Sequence, residues 1–125
     1  MDISIVIPNY NGEKLLKKNL PSVAAAVSAY QDKTKDTVEI IIVDDFSTDE
    51  SIVLLTDLQK KYKNLIVIKN EKNLGFSSTV NRGVEQAKGD IVVLLNSDVS
   101  PTRDFLIPLM PHFEDKKVFA VGSMD

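Results

Sequence analysis

Short apolar, β-branched runs alternate with longer amphipathic stretches along this chain, and that alternation leaves few folds open. Runs at residues 3–7, 38–43, 65–68, 91–95 and 117–121 have the length and the Val/Ile content of strands. Strand–helix alternation predicts an α/β fold: βαβ units on a mostly parallel sheet, helices on both faces and right-handed crossovers. Strand one is expected between strands two and four. Parallel strands covered on both faces read as continuous apolar runs, as IIIVDD (residues 40–45) and IVVLLNSD (91–98) do. At 125 residues the chain makes one domain with a single core.

The connecting segments carry start and stop signals. Pro8 ends the first strand, Asn11-Gly12 turns the chain, and residues 13–19 are helical in character. Pro21 suits the first turn of a second, alanine-rich helix over 22–30. A polar linker, 31–37, leads into strand two. Ser47 and Glu50 have the spacing of a capping box that opens the next helix, with Ser51, Leu55, Leu58 and Tyr62 as its core-facing stripe. A loop over 70–75 precedes a helix over 77–87, striped by Val80, Val84 and Ala87 and stopped by Gly89. Pro101 starts an amphipathic helix bearing Phe105, Leu106, Leu109 and Phe113, and the fifth strand follows.

Composition excludes several classes. Hydrophobic residues at 43% and charged residues at 26% describe an ordinary globular domain. A net charge of −3 argues against a nucleic-acid surface, which is normally basic. The clusters Lys14, Lys17, Lys18 and Lys60, Lys61, Lys63 read as solvated helix faces. Without cysteine there are no disulfides, zinc–thiolate sites or thiol nucleophiles, and the single histidine, His112, makes a His-based triad or zinc site untenable. No apolar run is long enough to span a membrane. The N-terminus opens directly on a strand without the basic segment and cleavage site of a signal peptide.

The predicted strands end asymmetrically. Their C-terminal ends deliver Pro8-Asn9-Tyr10-Asn11, Asp44-Asp45, Lys69-Asn70 and Asn96-Ser97-Asp98, whereas the opposite ends carry plain linkers. In open α/β sheets ligands sit beyond the strand C-termini. Clustered carboxylates there suit magnesium or manganese and the phosphates such an ion carries, against the plainer reading that acidic residues start turns and cap helices. Tyr10 offers a flat face for a nucleobase, or simply packs on its own loop. Asp45 or Asp44 could accept a base N–H; a uracil-like ring presents one N–H between two carbonyls, so a lone acceptor reads it. Asp49 fits a helix-capping role better, because it sits within the capping turn. Asn96-Ser97-Asp98 is the metal candidate.

Taken in order and spacing, SIVIPNYNG (4–12), IIIVDDFSTDES (40–51), NEKNLGFSSTVNRGVEQAKGDIVVLLNSDVSP (70–101) and a terminal strand running into Val121-Gly122 resemble the nucleotide-binding half of family-2 glycosyltransferases, which have the GT-A fold. The middle segment is most similar to members that elongate bacterial surface polysaccharides. The resemblance implies inverting transfer from a nucleotide-diphosphate sugar, UDP- or dTDP-type, to a saccharide or lipid-linked acceptor, in the cytoplasm or at the inner face of the membrane. It puts Asp45, or Asp44, on the nucleobase and lines the nucleotide pocket with Pro8 and Tyr10. It places Asn70, Gly75 and Phe76 on a loop near the nucleotide and Asn81 on the helix after it. It gives the metal, manganese or magnesium, to Asp98, with Asn96 standing where the family's Asp-x-Asp motif has its first Asp. The general base and the acceptor wall come in this family from the portion after that motif. Here Asp104, Glu114 and Asp115 read as solvated charges, so the chain is expected to be a donor-binding half, a fragment or short form, that transfers no sugar alone and associates with itself or a partner.

Two other classes fit less well. A phospho-receiver domain would end its first strand, not its second, in the acidic pair. A sugar nucleotidyltransferase would carry a glycine-rich phosphate loop after strand one, which Gly12 alone does not supply. A catalytically incompetent nucleotide-sugar-binding module shares every feature above.

Overall fold

A computed structural model describes residues 2–98 and 117–121. The expected helix after Pro101, with Asp104, His112, Glu114 and Asp115, lies outside the described residues. In chain order the elements are β1 (Ile3–Asn9), α1 (Glu13–Lys33), β2 (Val38–Asp44), α2 (Ser51–Lys61), β3 (Leu65–Lys69), α3 (Phe76–Gln86), β4 (Ile91–Leu95) and β5 (Lys117–Val121). All four strand pairs are parallel, in the order β3-β2-β1-β4-β5, so β1 lies between β2 and β4 as the sequence predicts.

The pleat sorts side chains between two cores. Ile3, Ile5 and Ile7 of β1 pack with Ile40 and Ile42 of β2 against α1 and α2. Val6, Ile41, Val43 and Val92 point to the other face, where Val84 of α3 and Ala87 cover them. Both faces are therefore apolar, which is why the strands read as unbroken Ile/Val runs rather than alternating ones.

Four local expectations need correction. First, β1 does not stop at Pro8 but runs through it to Asn9. The Ile3 N–H bonds to Thr37 and the Asn9 carbonyl accepts from Asp45, so odd-numbered residues turn their polar groups toward β2. Pro8 faces β4, where pairing already ends at Val6–Leu94, and its missing N–H removes no ladder bond.

Second, residues 13–19 and 22–30 are not two helices but parts of one 21-residue helix with Pro21 inside it. An interior proline costs ~3 kcal/mol. Leu16, Leu20, Val23 and Val27 are all buried along one stripe past it, and each contributes roughly 1.5–3 kcal/mol. Tertiary burial wins.

Third, Ser47 does not cap α2. That helix starts at Ser51 with Glu50 at its N-cap and no side-chain cap bond there. Its stripe is as expected, with Ser51 and Leu55 buried and Leu58 and Tyr62 packed against the core. Fourth, Gly89 is not a helix stop, since α3 ends at Gln86 with Ala87 as C-cap in extended backbone. Gly89 instead passes so close to β1 that a Cβ would lie 2.6 Å from the Ser4 backbone nitrogen. Its own N–H donates to the Ser4 hydroxyl at 2.8 Å.

Candidate functional site

The chain moves outward from β1 through β2 to β3, then returns to place β4 on the other side of β1. That reversal opens a crevice beyond the C-terminal ends of β1 and β4, the position where open α/β sheets bind ligands. A pocket of about 570 Å³ fills it. β1 contributes Pro8 and Asn9, with Tyr10 just beyond; α1 contributes Leu15, and Asp45 follows β2. Asn73 and Gly75 come from the β3–α3 loop, Phe76 and Thr79 from α3, and Asn96, Ser97 and Asp98 from the end of β4. Tyr10 and Phe76 leave much of their rings exposed at its edge.

The two neighbouring carboxylates do different work. Asp44 is buried and holds the loop that follows it: its carboxylate accepts from the Ser47 hydroxyl at 2.6 Å, the Ser47 N–H at 2.9 Å and the Asn9 amide at 2.9 Å. It does not line the pocket. The Ser47 hydroxyl in turn accepts from the Asn11 N–H at 2.9 Å, and Asn11 accepts from the Thr48 N–H at 2.7 Å. Asp49 accepts from the N–H groups of Ser51 and Glu13, and Glu13 accepts from the Glu50 N–H. The starts of α1 and α2 are thus tied to each other. Burial pushes the Asp49 carboxyl up, but those donors outweigh it and hold it below the ordinary value.

Asp45 is 5% exposed and does reach the pocket. Its Oδ1 accepts from the Leu74 N–H at 2.7 Å and the Asn70 amide at 2.9 Å, and its Oδ2 accepts from the Gly75 N–H at 3.0 Å. Burial raises its pKa; the donors from Leu74, Asn70 and Gly75 together outweigh burial and leave the group below its ordinary value. The start of α3 adds the positive end of a helix dipole. Gly75 makes this possible, because φ +92° and ψ 169° form a backbone region essentially restricted to glycine.

Asn70 stands behind this arrangement and does not line the pocket. Its NH2 donates to Asp45 and to the Thr79 hydroxyl, and its oxygen accepts from Arg82. Asn81 is exposed and also lies outside the pocket.

At the β4 side, Asn96, Ser97 and the exposed Asp98 form the pocket edge, and the Ser97 carbonyl accepts from the buried Asn19 amide at 2.9 Å. Among the described residues no group of three or more Asp, Glu, His or Cys stands together to hold an ion. One carboxylate with an amide oxygen and a hydroxyl is nevertheless a set of hard donors. It fits magnesium or manganese that keeps waters and takes its other ligands from a phosphate, not a fully caged ion.

Leu15, Asn73 and Thr79 are pocket residues that the sequence did not single out. Thr79 carries the one available signal, a polar residue on the buried side of α3 beside Val80 and Gly83.

An open parallel sheet with a crevice at its switch point, lined by a buried carboxylate and two exposed aromatic rings, places the chain among the open α/β proteins that bind ligands beyond their strand ends. The sequence profile described as glycosyl transferase family 2 matches residues 4–125. The chain belongs to that family. A poly(ribitol-phosphate) beta-glucosyltransferase from Bacillus spizizenii is 40% identical over 99 residues, covering 78% of this chain and 15% of that protein. The crystal structure of S. aureus TarS 1-349 in complex with UDP-GlcNAc superposes with a TM-score of 0.74 at 29% identity, over 87% of this chain and 30% of that one. A mannosyltransferase from Pyrobaculum calidifontis, solved with GDP-Man and Mn2+, shares the fold at 24% identity, with a TM-score of 0.72 over 83% of this chain and 30% of that one. The chain therefore spans less than a third of each of these relatives, and its fold is that of the GT-A glycosyltransferases.

Proposed function

We propose that this chain is the donor-binding portion of a glycosyltransferase that takes a nucleotide-diphosphate sugar, with a uracil-type base read by Asp45 and a divalent cation held at Asp98. One observation carries the reading: Asp45 and Asp98 line the same pocket from opposite sides of β1. A carboxylate has about four acceptor positions; three of those on Asp45 take N–H donors, and the Thr79 hydroxyl also donates to it. An ionised carboxylate accepts and never donates, so it favours a base with an N–H at that edge over one with a bare ring nitrogen. The exposed rings of Tyr10 and Phe76 supply flat apolar surface for that base.

Asn96, Ser97 and Asp98 would hold the cation, which neutralises charge on the departing diphosphate. The pocket wall's task is to bind and orient the donor so that the anomeric carbon faces an incoming hydroxyl, with inversion in a single displacement. Among the described pocket residues Asp45 and Asp98 are the carboxylates, and both are assigned to binding, so the general base is left unassigned. That same observation favours a second reading, a module that binds the nucleotide-sugar without transferring it. A saccharide or lipid-linked acceptor, and a cytoplasmic setting peripheral to the membrane, belong to the first reading. No helix of the described residues is long and apolar enough to cross a membrane.

Titration calorimetry with UDP, in manganese and then in chelator, tests the binding claim. UDP should bind more tightly with manganese, and Asp98→Ala should erase the difference while leaving the metal-free affinity in place. Equal affinity in both buffers, or a preference for adenine nucleotides, would overturn it.

A further inference from the structure

Arg82 lies in the middle of α3, and its guanidinium reaches back to the end of β3. Its Nη1 donates to the Lys69 carbonyl at 2.9 Å and to Asn70 Oδ1 at 2.6 Å. A guanidinium has donors only, so it holds the oxygen end of the Asn70 amide and not the nitrogen end. The NH2 end is thereby turned to Asp45 Oδ1 at 2.9 Å and to the Thr79 hydroxyl at 3.1 Å. The opposite orientation would set an amide oxygen against a carboxylate oxygen, two acceptors with no proton between them, in a site where Asn70 is 4% exposed and Asp45 5%. Leaving buried polar atoms unmatched in this way is costly. The Asn70 backbone is fixed as well, through its N–H to the Asp44 carbonyl at 2.8 Å. What remains free at Asn70 is the direction of its amide.

We propose that Arg82 is a positioning residue for base selection: by fixing which end of the Asn70 amide meets Asp45, it keeps that carboxylate set toward the pocket. The inference rests on the reading of the pocket as a nucleotide site. Without Arg82 the amide can turn over, Asp45 loses a donor and can rotate toward the loop, and the Leu74 and Gly75 N–H groups lose a fixed acceptor. Base contact then weakens even though Arg82 itself lines no part of the pocket. Lysine also donates and never accepts, so it can sort the amide in the same sense with a single ammonium.

Two readouts on Arg82→Ala and Arg82→Lys separate this idea from the nucleotide reading. The first needs no ligand: amide hydrogen exchange at Leu74 and Gly75 should speed up by roughly tenfold in Arg82→Ala, with core amides such as Val43 unchanged, and Lys should restore most of the protection. The second compares UDP with CDP. The native chain should prefer UDP, Arg82→Ala should lose most of that preference by weakening UDP roughly tenfold, and Arg82→Lys should recover part of it. Unchanged exchange at Leu74 and Gly75, or an unchanged UDP-to-CDP ratio in Arg82→Ala, would overturn the proposal. Loss of protection throughout the sheet would also overturn it, by making Arg82 a residue of general stability. If the native chain binds no UDP, the nucleotide reading fails and Arg82 is judged on the exchange result alone.

Discussion

Asp45 is held by its hydrogen-bond donors against the cost of its own burial, and a group held in that way has consequences in acid. Its folded pKa lies below the ordinary value, as does that of Asp49. Both therefore add stability that is fully present above the unfolded pKa, about 4, and lost as pH falls through the lower folded value. Thermal melts followed by circular dichroism should show a flat midpoint from neutral pH down to about pH 5 and a fall below about pH 4. Asp45→Asn should make that fall shallower; a midpoint that rises on acidification would contradict the assignment. Gly75 offers a second test at the same scale. Nothing lies within 4 Å of where its Cβ would be, so the effect of Gly75→Ala comes from the backbone alone. The strain is of order 1–3 kcal/mol, to be seen as a lower urea midpoint and a weaker UDP isotherm. An unchanged midpoint would mean that the loop re-forms without a glycine-only conformation.

At the scale of elements, α1 is where local signals and packing disagree. Pro21 is exposed and sits in the helix interior, where it cannot donate to the Lys17 carbonyl. Pro21→Ala should stabilise the chain by about 1–2 kcal/mol, the interior proline cost less what the ring removes from unfolded-state entropy. Equilibrium urea unfolding would measure it, and a loss of stability would show that the proline shapes the helix usefully. This helix also shows what sequence could and could not convey. Strand positions were legible because five apolar runs have strand length, and of their order only the place of β1 between β2 and β4 was expected. Pro21 misled because local propensity carries no record of the sheet beneath Leu16 and Val27. The Ser47–Glu50 spacing misled because Ser47 is claimed by Asn11, 36 residues earlier. Asp45, Tyr10, Asn96 and Asp98 were legible at the pocket because they end strands or open loops at one rim, and Gly75 through the family resemblance alone. Asn70 was legible as a rim residue, but its bracing role and that of Arg82 depend on a contact between β3 and α3 that left no mark in local spacing.

For the molecule as a whole, the site follows from topology: reversal at β1 brings the ends of β2 and β4 to two sides of one crevice. The sheet carries Asp45, its loops brace that carboxylate, and β4 carries Asp98 to the pocket edge. The central claim is that one nucleotide bridges these two carboxylates, its base on one and its diphosphate on the other. A crystal structure of the chain with UDP and manganese tests this most directly. The pyrimidine N–H is expected within about 2.7–3.2 Å of Asp45 Oδ2, and the ion between Asp98 and the diphosphate. A nucleotide bound outside the crevice, or bound within it with its base edge away from Asp45 and no ion at Asp98, would rule this bridging out.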